Sequence, residues 1–204
     1  AATITADDIN VGSTSACGDE LTYSLSNDTF DCSNLGTNTV TLTVTNADGA
    51  SATCESTVTV IDNSMPLFID CPTASIEVSA DAGSCSALVF FDAPTATDNC
   101  GMANITSSHL SGDSFDVGET TVTFTAVDGV GNESTCSFMV IVNDDEVPTL
   151  ECNAEITISV DENCSAFVPD VLNEAILSIT DNCTASTDIT LSQMPAAGTA
   201  LEVG

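Results

Sequence analysis

The chain has 204 residues, 31 of them Asp or Glu, and not one Lys or Arg. Ordinary usage would supply roughly 20 or more basic residues in this length. The composition therefore excludes partners read by cationic side chains: nucleic-acid phosphates, anionic lipid, and substrates held by an Arg clamp or a Lys Schiff base. A net charge of −31 draws in Ca²⁺ or other counterions, and two readings fit it, a solvated acidic surface and deliberate cation binding.

With 43% hydrophobic residues the chain is not a disordered acidic tail, because the apolar residues alternate with Thr and Ser in short runs. Residues 1–63 read as a partial module. Ala1 to Ile9 corresponds to a second strand onward, Asp7, Asp8 and Asn10 to a turn, and Thr39 to Val44 to a strong strand. Residues 64–145 form a complete module. Ser75–Ser79 alternates as a first strand, Asp81 to Gly83 is a turn, and Cys85–Phe91 is a second strand. Asp92–Asp98 is a connection, Met102–Ser107 a strand, Thr120–Val127 a strong strand, Asp128–Asn132 a glycine-rich hairpin, and Ser134–Asn143 the last strand. Residues 146–204 repeat the pattern as far as Leu201–Gly204, with one short helix expected near Val171–Ile176.

The repetition is explicit, with a period of about 80 residues. Cys71, Cys85 and Cys100 recur as Cys152, Cys164 and Cys183, and Asp98-Asn99-Cys100 recurs as Asp181-Asn182-Cys183. Thr121 to Ala126 likewise repeats Thr39 to Val44. About seven short strands per module with Gly-containing turns predict an all-β fold: tandem immunoglobulin-like antiparallel β-sandwiches. Both ends of the sequence fall inside a repeat, so a piece of a longer array is expected.

Ten cysteines lie singly and never as Cys-x-x-Cys, which disfavours zinc knuckles and thioredoxin-like chemistry. Disulfides in an oxidising compartment are the expectation, stapling modules too small to hold a large core. The starts of the first and last strands of the middle module should lie side by side, which pairs Cys71 with Cys136 and leaves Cys85 for Cys100. By position Cys164 pairs with Cys183, and Cys17 pairs with Cys32. Cys54 and Cys152 are left to partners outside the segment.

Several motifs together resemble the hyalin repeat (HYR) family. They are Cys71-Pro72, Gly83-Ser84-Cys85, Asp98-Asn99-Cys100-Gly101, Phe115 to Val122 and Asp128 to Asn132. The resemblance covers the middle module and most of the third. The first module is similar to a bacterial variety through Ile4 to Asn10, Ala16-Cys17-Gly18, Phe30 to Gly36 and Asn38 to Thr45. Mixed arrays of this kind resemble giant surface adhesins of Bacteroidetes, including gliding filaments exported by the type IX system. The resemblance implies an extracellular adhesive or structural role, with neighbouring repeats or subunits as partners, a surface or polysaccharide as the ligand class, and no catalysis. The third module departs from the pattern, with Thr184 in place of Gly101.

Calcium at the module junctions is the principal site hypothesis. Asp62 and Asn63 at one junction, and Asn143, Asp144, Asp145 and Glu146 at the next, offer the hard oxygen ligands that Ca²⁺ requires. A solvated acidic hinge is the competing reading. Asp128 and Asn132 in the hairpin offer cation ligands as well, but such residues more often serve turn geometry. His109, the sole histidine, lies beside Ser107 and Ser108; neighbours on a strand face opposite ways, so no catalytic triad is expected. The single Tyr23 and the absence of Trp disfavour an aromatic sugar-binding face. No apolar run approaches the roughly 18 residues of a membrane span.

Overall fold

The computed structural model describes every residue except Cys17, Ala154, Cys164, Ala175 and 202–204. Strands form where the alternation is cleanest. In Gly36–Thr45 the side chains of Val40 and Leu42 are buried and Thr41 between them is half-buried. In Gly118–Val127 the buried set is Val122, Phe124 and Ala126. Thr and Val suit this role because a β-branched side chain packs well on a pleated, half-buried surface. Each fully buried Val, Leu or Phe contributes about 1.5–3 kcal/mol relative to exposure. Gly36 (φ +93°) and Gly118 (φ +117°) open these strands in a left-handed conformation that L side chains rarely adopt.

The chain divides into two compact units. The first comprises Ala1–Cys71, Pro94–Ser107 and Phe124–Cys136. It holds a three-stranded antiparallel sheet in the order Thr22–Leu25, Gly36–Thr45, Ser51–Val60. Ala2–Thr3 pairs with Thr29–Phe30, and Thr95–Asp98 lies between Gly101–Met102 and Leu67–Ile69. Phe30, Val40, Leu42, Phe124 and Ala126 fill its core. The second unit comprises Pro72–Ala93, Ser108–Thr123 and Ser137–Gly204. In it Ser86–Leu88 pairs with Ser114–Asp116, and Thr149–Cys152 pairs with Ile176–Thr180. Ile76–Ser79 runs parallel to Val140–Asn143. Its core includes Val89, Phe115, Val122, Phe138, Val140 and Val142. Asn104–Ser107, Gly118–Val127, Glu133–Asn143 and Ile76–Ser79 are neighbours in that order in a four-stranded sheet.

The protein is all-β, immunoglobulin-like in its short antiparallel strands, with helices of a single turn at Ala6–Ile9 and Val171–Glu174. The first of these stands where a turn was expected. It is held by a capping box in which the Thr5 backbone N–H donates to Asp8 at 2.7 Å. Cys85–Phe91 is strand only over Ser86–Leu88, and the expected connection Asp92–Asp98 contains the strand Thr95–Asp98. Pro94 hid that strand, since a proline there reads as a break, but a proline is tolerated immediately before a strand.

Two disulfides are present among the described residues, Cys32–Cys100 and Cys71–Cys136. The first corrects the pairing read from the sequence: Cys32 is not bonded to Cys17, nor Cys85 to Cys100. The error came from pairing cysteines that are close in sequence. The turn at Cys32–Asn34 instead meets the Asp98-Asn99-Cys100 turn, where the Cys32 sulfur lies 3.4 Å from the Asn99 carbonyl. Cys54 and Cys152 are exposed and unbonded. Cys17 and Cys164 lie outside the described residues.

Candidate metal centre and its surroundings

The first junction carries the one convergence of carboxylates among the described residues. Single oxygens from Asp62, Asp98 and Asp128 all lie within 4.8 Å of one another, on three half-buried residues. Pairing and turn geometry gather them. Asp62 follows the strand Ser51–Val60, and Asp98 ends the strand Thr95–Asp98, whose partner Leu67–Ile69 begins a few residues after Asp62. Asp128 opens the hairpin that joins the two long strands. Its Oδ1 accepts from the backbone N–H groups of Val130 (2.9 Å), Gly131 (2.7 Å) and Asn132 (2.8 Å).

Asn132 ties the group together. Its Nδ2 donates to the Asp62 carbonyl at 3.0 Å and to Asp128 Oδ2 at 2.8 Å. Asn99 Nδ2 donates to Asp62 Oδ1 at 3.3 Å. Asp98 Oδ1 accepts from the Cys100 N–H at 2.9 Å, but Asp98 Oδ2 is buried and accepts no hydrogen bond. Burial alone would raise the Asp128 carboxyl; the donors from Asn132, Val130 and Gly131 outweigh it and hold its pKa below the ordinary value.

Carboxylates at this spacing repel one another wherever they carry charge, and the chain has no Lys or Arg to compensate them. An orphaned buried carboxylate oxygen is the kind of atom that a hard cation satisfies. The donor set, all oxygen and bordered by two amides, fits Ca²⁺ and lacks the nitrogen and sulfur ligands that zinc prefers.

Of the residues chosen from the sequence, Asp62 belongs to this group and Asn63 does not; Asn63 is exposed. Asp128, read first as a turn residue and second as a cation ligand, shapes the turn and joins this group. Asp98 was passed over as a mark of the repeat. At the second junction the chosen residues form no such trio among the described residues. Asp145 accepts from the Ser79 hydroxyl at 2.6 Å, Glu146 accepts from the Gly83 N–H at 2.9 Å, and Asp144 accepts from the Glu146 N–H at 3.2 Å. The Asn143 carbonyl accepts from the Ala80 N–H at 2.8 Å. Asp181 accepts from the backbone N–H groups of Thr184 and Cys183, which lower its pKa.

His109 and Ser108 depart from the strand geometry expected of them. They sit in a bend after Asn104–Ser107, with Ser108 Oγ 3.0 Å from His109 Nδ1. Ser108 Oγ also accepts from the Thr123 N–H at 3.0 Å, and the His109 ring packs on Phe115 with centroids 5.0 Å apart. These contacts secure a bend against the core. Among the described residues no helix is long and apolar enough to cross a membrane.

An all-β, disulfide-bonded repeat with an acidic junction is thus defined by the fold and the site. Residues 61–142 match the HYR domain family. The chain is 32% identical over 148 residues to hyalin of Lytechinus variegatus, covering 71% of this chain and 28% of that protein. It is 36% identical over 135 residues to hyalin of Strongylocentrotus purpuratus, covering 65% of this chain and 11% of that protein. It is also similar, at 33% identity, to the mouse (Mus musculus) sushi, von Willebrand factor type A, EGF and pentraxin domain-containing protein 1, of which it spans 4%. Among solved structures it is similar to protocadherin gamma B7 extracellular cadherin domains 1–4. There the TM-score is 0.36 with 14% identity, over 80% of this chain and 51% of that one.

Proposed function

We propose that this chain is a non-catalytic stretch of an extracellular repeat array that projects or presents adhesive surface, as the stalk of a long cell-surface adhesin or filament. The observation that carries the reading is the match to hyalins many times longer than the matched segment, in a chain whose own modules repeat. Residues 1–63, 64–145 and 146–204 are the successive modules on this reading, and neighbouring repeats are their first partners. The bacterial gliding-adhesin setting rests on the motifs of the first module. A surface or a polysaccharide is the ligand class.

Rigidity would come from disulfides and from calcium at the junction formed by Asp62, Asp98 and Asp128, with Asn99 and Asn132 beside them. Calcium supplies positive charge there; the chain supplies oxygens and holds them by the hairpin and strand contacts above.

Two measurements test the array. Antibodies against this segment should label unpermeabilised source cells, and the native polypeptide should be far heavier than 20.8 kDa with or without reductant. A mass near 20.8 kDa per subunit, with reducible links between subunits, would replace the stalk by a self-assembling fibre. Linkage to a hydrolase domain in the same polypeptide would make the segment an accessory region instead.

A further inference from the structure

We propose that Cys85 and Cys183 are joined in the mature protein by a disulfide that is the counterpart at the second junction of Cys32–Cys100 at the first, with Cys183 standing where Cys100 does in the repeat and Cys85 in the place of Cys32 without being its repeat equivalent, so that successive modules are bonded at each junction. The inference rests on the array reading for its meaning, but on local geometry for its existence.

The two places are built alike. In the first unit, a cysteine beside a short edge strand (Cys32, after Thr29–Phe30) meets an Asp-Asn-Cys turn, with its sulfur 3.4 Å from the Asn99 carbonyl. In the second unit, a cysteine beside a short edge strand (Cys85, before Ser86–Leu88) meets the recurring Asp-Asn-Cys turn, with its sulfur against the Asn182 carbonyl. The turns share their internal bond. Asp98 accepts from the Cys100 N–H at 2.9 Å, and Asp181 accepts from the Cys183 N–H at 2.9 Å. The second place has two further contacts. Asn182 Nδ2 donates to the Ser84 carbonyl at 3.0 Å, and the Cys183 thiol reaches the same carbonyl at 3.5 Å.

Each thiol thus lies against the backbone carbonyl of the residue that precedes the other cysteine, Cys85 on Asn182 and Cys183 on Ser84. Burial, then the Cys85 thiol and the charges of Asp144 and Asp181, push the Cys183 thiol up to about 12.

Bond formation needs an oxidant, and an exported chain meets one of the thiol–disulfide oxidoreductase class. One cysteine, as thiolate, attacks the oxidant's disulfide and expels a thiol, and the other cysteine then attacks the mixed disulfide. Two S–H bonds are lost and one S–S bond is made; the oxidant takes up two electrons and two protons and leaves as a dithiol.

The bond is tested on the chain matured in an oxidising compartment, alkylated with N-ethylmaleimide under denaturing conditions before any reduction. Digestion must use a protease that cuts at Glu or Asp, since trypsin has no site. The expected product links the peptides containing Cys85 and Cys183, separates on reduction, and carries no maleimide on either residue. Maleimide on both residues, or Cys183 linked to Cys164 or to any other cysteine, overturns the proposal. Cys85→Ser should release Cys183 for labelling while Cys32–Cys100 stays closed; if that variant does not fold, the peptide map of the unaltered chain decides alone. A native mass that sinks the stalk would leave this map, and the bond, standing.

Discussion

Two hairpins in this molecule follow one template and end in different environments. Gly36–Thr45 with Ser51–Val60, and Gly118–Val127 with Glu133–Asn143, stand at a constant offset of 82 residues, Gly36 to Gly118 and Ser51 to Glu133. Their inner strands match closely, with Val40 and Leu42 answering Val122 and Phe124 in full burial. Their second strands do not. Along Glu133–Asn143 every second residue from Cys136 to Val142 is buried, whereas Ser51–Val60 has no buried residue. The middle hairpin has a further neighbour, Ile76–Ser79, paired parallel to it, and a disulfide from Cys71. The first hairpin has neither among the described residues, and it carries Ser56 where the second has Phe138. Alternation makes a strand; whether its apolar face becomes core depends on what arrives beside it.

The largest expected effect tests that burial. Phe138 is buried and packs edge-on against Phe91 at 5.1 Å. Phe138→Ala should cost about 3–5 kcal/mol in urea unfolding, and Ser56→Ala in the first hairpin less than about 0.5 kcal/mol. Equal effects would break the comparison.

Next comes the covalent difference. Replacing Cys71 and Cys136 together by Ala should destabilise by about 2–4 kcal/mol. Cys54→Ala, at the matching exposed position, should move the midpoint by less than about 0.5 kcal/mol. A large Cys54 effect in the 204-residue chain would show that the first hairpin has its own staple.

The turns sharpen the contrast further, because Asn46 stands where the middle hairpin has Asp128. Asn46 Oδ1 accepts from the Ala50 N–H at 2.8 Å, so Asn supports such a turn. Asp128→Asn should therefore fold, yet lose calcium-dependent stabilisation. In the unaltered chain that stabilisation should reach about 2.7 kcal/mol at a hundredfold excess of Ca²⁺ over Kd. Asp98→Asn should lose it too, and Asp145→Asn should keep it. Calorimetric titration with CaCl₂ that gives no heat in the unaltered chain would remove the cation from the junction.

The smallest effect is on pH. The Asp128 carboxyl is depressed in the fold, so its contribution is fully present above its unfolded pKa and is lost as pH falls through the lower folded value. In chelator-treated buffer the melting temperature of Asp128→Asn should fall less steeply than that of the unaltered chain below about pH 4. Superimposable curves would mean that the turn is indifferent to that charge.

Much of this was legible in the chain itself. The repeat, the strong strands and the all-β class follow from local alternation and turn residues, which act over a few neighbours and so are written in consecutive letters. The HYR motifs are local for the same reason. The pairing of Cys32 with Cys100 and the gathering of Asp62, Asp98 and Asp128 are different in kind. Each joins residues tens of positions apart, through the pairing of Thr95–Asp98 with Leu67–Ile69 and the reach of Asn132 to the Asp62 carbonyl. Sequence distance favoured Asn63 beside Asp62, and Cys17 beside Cys32, because adjacency is all that a string displays. Which carboxylate was left buried without a donor, and which thiols came to rest together, was decided only when the strands had packed.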